Sequence, residues 1–242
     1  AEDGIRDVAV TGVQTCALPI FDWPNVRPST LVDVAGIKVG IIGVMTIDAL
    51  RSTLAAHVQG LALAPLEDTV IAQARQLRAR GATVVLVTAH AGGRCTDFGD
   101  PKNLDSCDDP SEIFDLARAV PDGLVDAIVA GHTHTAMAHE VNGIPVVEAN
   151  ALGQFFSRVD VFVDPVTKRK VSATPYAPQE LCLEVDPGTT TCAPTTDPRA
   201  LGRRVTATYE GRPVEIDRAI VARSEEHTSE LQSRLHLVCR LL

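Results

Sequence analysis

Three short runs of aliphatic and β-branched residues constrain the fold of this chain more than any other feature. They cover residues 37–45, 83–88 and 126–130. Runs of this length and composition are typical of strands buried inside a sheet. Between these runs, apolar residues at helical spacing predict a helix over 65–81 and a shorter one over 111–120. Strands that alternate with helices predict an α/β fold with a largely parallel sheet and helices packed on it.

Shorter strands are predicted on either side of this core, over 30–34, 138–141, 144–148, 156–163 and 170–176. Those in the second half of the chain are expected to complete the sheet in antiparallel fashion. Asn142-Gly143 is a strong signal for a tight hairpin between the first two of them. A loop is expected over 177–199, which is rich in Pro, Thr, Asp and Gly, and then a short strand and the start of a helix.

The two ends of the chain are predicted not to belong to the natural protein. Residues 1–20 and 223–242 can be back-translated into DNA strands that are reverse complements of one another, including the short gap that a sample barcode would fill. That DNA resembles a common short-read sequencing adapter. The alternative is a genuine strand over 10–20 and a genuine helix over 225–242. The adapter interpretation leaves 21–222 as the protein.

The charge of the chain argues against one class of partner. It carries 22 Lys and Arg against 31 Asp and Glu, a formal net charge of −9. A mildly acidic chain without basic clusters argues against binding to a nucleic-acid polymer. No apolar run reaches the roughly 18 residues that a membrane span needs.

Four cysteines outside the end segments predict disulfides. Cys95 and Cys107 form one close pair in the sequence, and Cys182 and Cys192 form another, each in a polar loop. An even number of cysteines in loops indicates an oxidising compartment. Four cysteines allow three pairings, of which the local one within each pair is favoured. The alternative is four reduced thiols at the surface of a cytosolic protein.

Two histidine groups follow predicted strands. His90 comes directly after the run 83–88, and His132 and His134 come after the run 126–130. Ligands bind beyond the carboxyl ends of strands in parallel sheets, and glycines flank both groups. In an extended loop His132 and His134 would project the same way, which suits imidazoles reaching one metal centre. A lone histidine in such a loop is more often simply hydrogen-bonded, and His57 and His139 are interpreted as ordinary polar residues.

Several motifs together resemble the 5′-nucleotidase family of calcineurin-like metallophosphoesterases. They are KVGIIGV at 38–44, VLVTAHAGG at 85–93, VAGHTH at 129–134 and NGIPVVEANALGQFFSRVDVFVD at 142–164. The resemblance covers about 24–176 well and 203–222 more weakly. It implies the second half of an αββα-type domain over 21–176, and a linker over 177–222 toward a C-terminal substrate domain.

The resemblance also implies a chemistry and a location. The family's two divalent metal ions, for which Zn, Mn, Fe, Mg and Ca are all candidates, clamp a phosphate and activate water. By motif position, His90 and His132 would bind one ion and His134 the other. The expected substrates are small nucleotide phosphate esters, hydrolysed by a 5′-nucleotidase or a 2′,3′-cyclic-nucleotide phosphodiesterase. The expected location is periplasmic or extracellular.

The chain departs from the family pattern in one respect. It contains neither the Asp-x-His nor the GNHE-type motif that supplies the remaining metal ligands. We therefore expect the chain as given to be inactive, and its sheet to have an apolar, unpaired edge. The alternative is a non-catalytic metal-binding module that uses only the histidines.

Overall fold

The structure is a computed structural model that describes residues 26–58, 61–192 and 203–223. The chain divides into two compact units, one ending at Gln179 and the other beginning at Glu180. Of the predicted end segments, 1–20 and 223–242, only Arg223 lies within the described residues. Among the residues described, no helix has both the length and the apolar character needed to cross a membrane.

A six-stranded mixed sheet forms the centre of the first unit, in the order β1-β2-β3-β4-β6-β5. The strands β2, β3, β4 and β6 are parallel neighbours, while β1 and β5 pair antiparallel at the two edges. The predicted α/β class is therefore confirmed. The strand bounds are β1 Ser29–Val34, β2 Ile37–Met45, β3 Val84–His90, β4 Ala127–Val129, β5 Ala136–Val141 and β6 Ile144–Ala149.

The helices of the first unit are α1 Ala49–Ser52, α2 Leu66–Ala79 and α3 Glu112–Ala119, with a 3-10 turn at Ala55–His57. Of these, α2 and α3 pack against strands of the sheet. The helix α2 contacts β1, β2, β3 and α3, and α3 contacts β5. The stripe of α2 is buried as its spacing predicts, at Leu66, Val70, Ala74 and Leu77. Burying a Leu or Val side chain contributes about 1.5–3 kcal/mol, so this stripe holds α2 against the sheet.

The predicted hairpin at Asn142-Gly143 is present. Asn142 and Gly143 have φ values of 52° and 70°, as both central residues of a type I′ turn require. Asn142 Nδ2 also donates hydrogen bonds to the carbonyls of Ala117, at 3.3 Å, and Val120, at 3.0 Å. The turn residue therefore satisfies free carbonyls at the end of α3 as well as closing the hairpin.

The last two strands of the first unit do not complete the central sheet, contrary to the sequence expectation. The strands β7 Phe155–Val163 and β8 Lys170–Glu180 form a separate two-stranded sheet. The strand β6 already has β4 and β5 on its two sides, so β7 cannot pair with the strand that precedes it in the chain. Asn150 and Leu152 adopt positive φ values of 55° and 63°, which turn the chain away after β6.

The second unit contains short strand pairs. The strand β9, Glu184–Val185, pairs with β10, Val205–Thr206, and β11, Thr208–Tyr209, pairs with β12, Arg212–Pro213. The predicted loop over 177–199 is wrong in part, because β8 continues to Glu180 and β9 follows. Its last residues, 193–199, lie outside the described part of the chain. Residues 218–223 are helical, as expected.

A buried carboxylate links four segments of the first unit. Asp126, whose side chain is 2% exposed, lies 2.7 Å from Arg78 Nη2 and 3.0 Å from Lys170 Nζ. The backbone N–H of Val85 also donates to Asp126 Oδ2 at 2.7 Å. Asp126 therefore joins α2, β3 and β8 to the start of β4. Sequence reasoning placed this residue in a strand without identifying these partners.

Candidate metal centre

The parallel pairing of β3 with β4 brings the two histidine motifs to one edge of the sheet. Thr88 of β3 lies opposite Val129 of β4. The strand β3 then ends at His90, and β4 leads into the loop over 130–135, called here the GHTH loop. Both groups leave their strands at the carboxyl end, where parallel sheets bind ligands.

His90 and His132 are in direct contact. His90 Nε2 lies 3.1 Å from His132 Nδ1, and the ring centroids are 4.7 Å apart. Burial lowers the pKa of His90, and the nearby His132 and His134 lower it further. The neutral imidazole that this favours has the free lone pair that a metal ligand requires.

The spacing of these two nitrogens fits a shared metal ion. Two ligand nitrogens bound at about 2.0–2.1 Å to one ion are roughly 3–3.4 Å apart. The 3.1 Å between His90 Nε2 and His132 Nδ1 falls within that range. The nitrogen atoms of His90, His132 and His134 do not all lie within 4.8 Å of one another in the described structure. The arrangement therefore suits one ion between His90 and His132, with His134 outside that pair.

The GHTH loop is not extended, contrary to the sequence expectation. His132 and His134 have positive φ values of 84° and 56°. Non-glycine residues in this region are strained, and such strain clusters at functional sites. Thr133 lies between the two histidines and Thr135 follows them, and both hydroxyls donate to the carbonyl of Gly93. The loop turns to make these bonds, and both imidazoles stay exposed.

A buried carboxyl group anchors the GHTH loop from below. Thr133 Oγ1 lies 2.7 Å from Glu148 Oε2 and 2.8 Å from the carbonyl of Gly93. Thr135 Oγ1 donates to the same Gly93 carbonyl at 2.5 Å. Glu148 itself is only 1% exposed. The loop that carries two candidate ligands is therefore tied to β6 and to the loop after β3.

Burial raises the pKa of Glu148, while hydrogen bonds from Thr133 and from the backbone of Thr135, Gly93 and His134 act in the opposite direction. These bonds hold the carboxyl group against the GHTH loop and the loop after β3. Sequence reasoning missed Glu148, which it placed in a strand without a role. Its position at the end of β6, beside β4, was the available signal.

Gly92 is required by close packing in the same place. A Cβ atom there would lie 2.4 Å from both Glu148 Oε2 and the carbonyl of Gly131, and 2.5 Å from Thr133 Oγ1. Any side chain at Gly92 would therefore push the GHTH loop away from the end of β3. The sequence led us to expect that glycine here lets a ligand approach the backbone closely. In the structure, the groups that approach Gly92 closely belong to the protein itself.

Among the described residues, one further histidine side chain is present, that of His139. The side chain of His57 is outside the described residues. His139, which was interpreted as an ordinary polar residue, is completely buried. It lies on β5, on the edge of the sheet covered by the loop that contains Cys95 and Cys107.

Both predicted disulfides are present with the local pairing. Cys95 is bonded to Cys107 in the first unit, and Cys182 is bonded to Cys192 in the second.

Comparison with known proteins gives relatives over part of the chain. No protein-family model matches it. The cell wall protein Lmo0130 of Listeria monocytogenes is 26% identical over 149 residues, which are 60% of this chain and 19% of that protein. The endonuclease YhcR of Bacillus subtilis is 27% identical over 153 residues, 63% of this chain and 12% of that protein. The chain thus spans less than a fifth of the length of these curated relatives.

Solved structures give similarities of the same extent. The calcineurin-like phosphoesterase YfkN of Bacillus subtilis is similar with a TM-score of 0.48 and 20% identity, over 62% of this chain and 50% of that one. The NAD nucleotidase of Haemophilus influenzae has a TM-score of 0.48 and 18% identity, over 74% and 32% of the two chains. The 5′-nucleotidase precursor of Thermus thermophilus has a TM-score of 0.44 and 22% identity, over 62% and 29%.

Proposed function

We propose that the first unit is part of a metal-dependent phosphoesterase that hydrolyses small nucleotide phosphate esters. The contact between His90 and His132 carries this proposal, because it joins the two motifs at the distance expected for a shared ion. The resemblance of the motifs to 5′-nucleotidases supports it. The name of the Bacillus relative, an endonuclease, also describes an enzyme that cleaves phosphate esters.

The residues of this chain would act by holding and orienting. Two divalent ions, when bound, would polarise the phosphate and activate the attacking water. His90 and His132 would hold one ion and His134 the other. Glu148 and Thr133 would fix the GHTH loop, and with it the positions of both histidines on that loop.

The three histidines are too few for the full centre. Neither Asp-x-His nor GNH occurs in the chain, so carboxylate ligands of the family type would have to come from residues outside this sequence. We therefore propose that the chain as given binds metal but does not turn over substrate.

A location outside the cytoplasm fits this proposal. The two disulfides and the similarity to a cell wall protein support an extracellular or periplasmic environment.

Hydrolysis by an extended chain tests the proposed function. The chain would be expressed alone and joined to the residues encoded upstream in its source gene, then assayed with AMP and 2′,3′-cyclic AMP. We expect metal-dependent hydrolysis only by the extended chain. Replacing His90 and His132 by Ala should reduce the rate of hydrolysis by more than about 100-fold. Loss of a residue that only hydrogen-bonds a metal ligand already costs roughly 10–100-fold.

Two further results distinguish a phosphoesterase from a non-catalytic metal-binding module. His57→Ala, which changes a histidine outside both motifs, should leave hydrolysis unchanged. An extended chain that binds metal without hydrolysing either ester would favour the non-catalytic module. Hydrolysis that survives both ligand substitutions would contradict the proposed role of these histidines.

A further inference from the structure

A second group of metal-ligating side chains lies in the first unit, apart from the motif histidines. The Sγ atoms of Cys95 and Cys107 and a ring nitrogen of His139 lie within 4.8 Å of one another. Cys95 and Cys107 face each other as an isolated antiparallel bridge, and the N–H of Cys95 donates to the carbonyl of Ala136 at 3.2 Å. This loop therefore packs along β5, which carries His139.

His139 is unusual for a buried polar residue. It is completely buried, and its Nε2 atom has no hydrogen-bonding partner among the described residues. A buried polar atom without a partner is destabilising and is rare in folded proteins. The N–H of Ala138 donates to the other ring nitrogen of His139, Nδ1, at 3.4 Å. The ring of Phe98 lies beside it, with centroids 5.9 Å apart, and the disulfide sulfurs lie within 4.8 Å of a ring nitrogen.

The surroundings favour the form of His139 that binds metal. Burial lowers the pKa of His139, while a hydrogen bond with the backbone of Asp97 and the charges of Asp97 and Asp100 act in the opposite direction. A neutral imidazole retains a lone pair for a metal ion, whereas an imidazolium does not. The sequence expectation of an ordinary polar side chain gives no reason for such a residue beside a disulfide.

We propose that Cys95, Cys107 and His139 form a zinc site when the disulfide is reduced, so that this corner of the fold exchanges a disulfide for a metal ion. A dithiol reductant supplies two electrons and two protons, which break the S–S bond and give two thiols while the dithiol becomes a disulfide. Zn²⁺ then displaces the two thiol protons and binds two thiolates and the imidazole. Reoxidation by a disulfide of that class restores the S–S bond and releases the ion.

The ligand set fits zinc better than a harder cation. Two thiolates and an imidazole are zinc ligands, with bonds of about 2.3 Å to sulfur and 2.0–2.1 Å to nitrogen. Rotation about the Cα–Cβ bonds separates the sulfur atoms once the S–S bond is broken. The fourth position would be left to water. Carboxylate-preferring ions such as Mg²⁺ and Ca²⁺ are excluded by the softness of the two sulfurs.

The other disulfide provides a matched control within the same chain. Cys182 and Cys192 close a loop of similar length, with a sequence separation of 10 against 12. Among the described residues, no His, Cys, Asp or Glu adds a third ligand atom within 4.8 Å of both of these sulfurs. Reduction should therefore create a metal site at one disulfide and not at the other.

The test uses Co²⁺ as a spectroscopic substitute for zinc. The full chain, with Cys16 and Cys239 of the end segments replaced by Ser, is reduced with a phosphine, freed of reductant under nitrogen and titrated with Co²⁺. We expect charge-transfer absorption from thiolate to Co²⁺ in the near ultraviolet, and strong visible absorption from a tetrahedral ion. Both should be absent from the oxidised chain, and added Zn²⁺ should remove them. The motif histidines contain no sulfur and cannot produce the thiolate band.

Variants assign the bands to residues. Replacing Cys95 and Cys107 by Ser should abolish the thiolate band, whereas replacing Cys182 and Cys192 by Ser should preserve it. His139→Ala should weaken Co²⁺ binding by at least the roughly 10–100-fold that loss of an outer partner of a ligand costs. Formation of the Cys95–Cys107 disulfide in the oxidised His139→Ala variant, shown by mass spectrometry, would establish that this variant folds.

Two results would overturn the proposal. One is a reduced chain that gives no thiolate band with Co²⁺ although both thiols react with a thiol reagent. The other is a band that persists in the Cys95→Ser/Cys107→Ser variant, or that is unaffected in folded His139→Ala.

Discussion

Replacing Asp126 with Ala should lower the free energy of unfolding by about 3–5 kcal/mol, the usual cost of removing one partner from a buried ion pair. The side chain of Asp126 is 2% exposed and contacts both Arg78 and Lys170. Its loss would also leave the buried N–H of Val85 without its acceptor. The shift in urea midpoint, followed by far-ultraviolet circular dichroism, measures this change.

An exposed ion pair in the same unit is the matched control. Arg118 lies 2.6 Å from Asp109, and their side chains are 40% and 47% exposed. Exposed pairs contribute only about 0–1 kcal/mol, so Asp109→Ala should shift the midpoint little. Equal effects of Asp126→Ala and Asp109→Ala would contradict the role assigned to the buried carboxylate.

Replacing Gly92 with Ala should disrupt the GHTH loop, because the new methyl group would meet a backbone carbonyl and a buried carboxyl group at 2.4 Å. Forced overpacking of this kind costs about 1–3 kcal/mol. It should also weaken metal binding at His90 and His132, since the loop that carries His132 must move. The metal affinity and the urea midpoint of the variant test the two effects separately.

Gly131 is the control for that substitution. It lies in the GHTH loop itself, but an added Cβ atom would meet nothing closer than the Ala89 carbonyl, at 3.6 Å. Gly131→Ala should therefore change stability by no more than about 0.5 kcal/mol, as an unobstructed surface substitution does. A Gly92→Ala variant as stable as Gly131→Ala, with the same metal affinity, would show that the close packing is not needed.

The parts of the fold predicted from the sequence are those fixed by local patterns. The strand β2 is a continuous apolar run, and the stripe of α2 has strict helical spacing, so each element follows from neighbouring residues. The turn at Asn142-Gly143 follows from the two residues that tolerate positive φ. The sheet order at β3 and β4 then follows from their parallel connection.

The parts that were not predicted depend on contacts between distant residues. Asp126 contacts Arg78, which is 48 residues away in the sequence, and Val85, which is 41 residues away. No local sequence pattern indicates either contact. Glu148 and His139 occupy strands whose alternation gave no reason to treat either as a partner of a loop. The prediction of an extended GHTH loop was wrong for the same reason. Thr133 is held by Glu148, which lies 15 residues further along the chain.

Metal binding by the oxidised chain tests most directly the claim that His90 and His132 share an ion. With both disulfides intact and Cys16 and Cys239 replaced by Ser, no thiol ligand remains. Co²⁺ can then be titrated against the motif histidines and followed by calorimetry and visible absorption. The proposed site predicts one bound ion without a thiolate band, and loss of that ion in both His90→Ala and His132→Ala. Binding that is unchanged in either variant would contradict the shared site, and with it the proposed phosphoesterase centre.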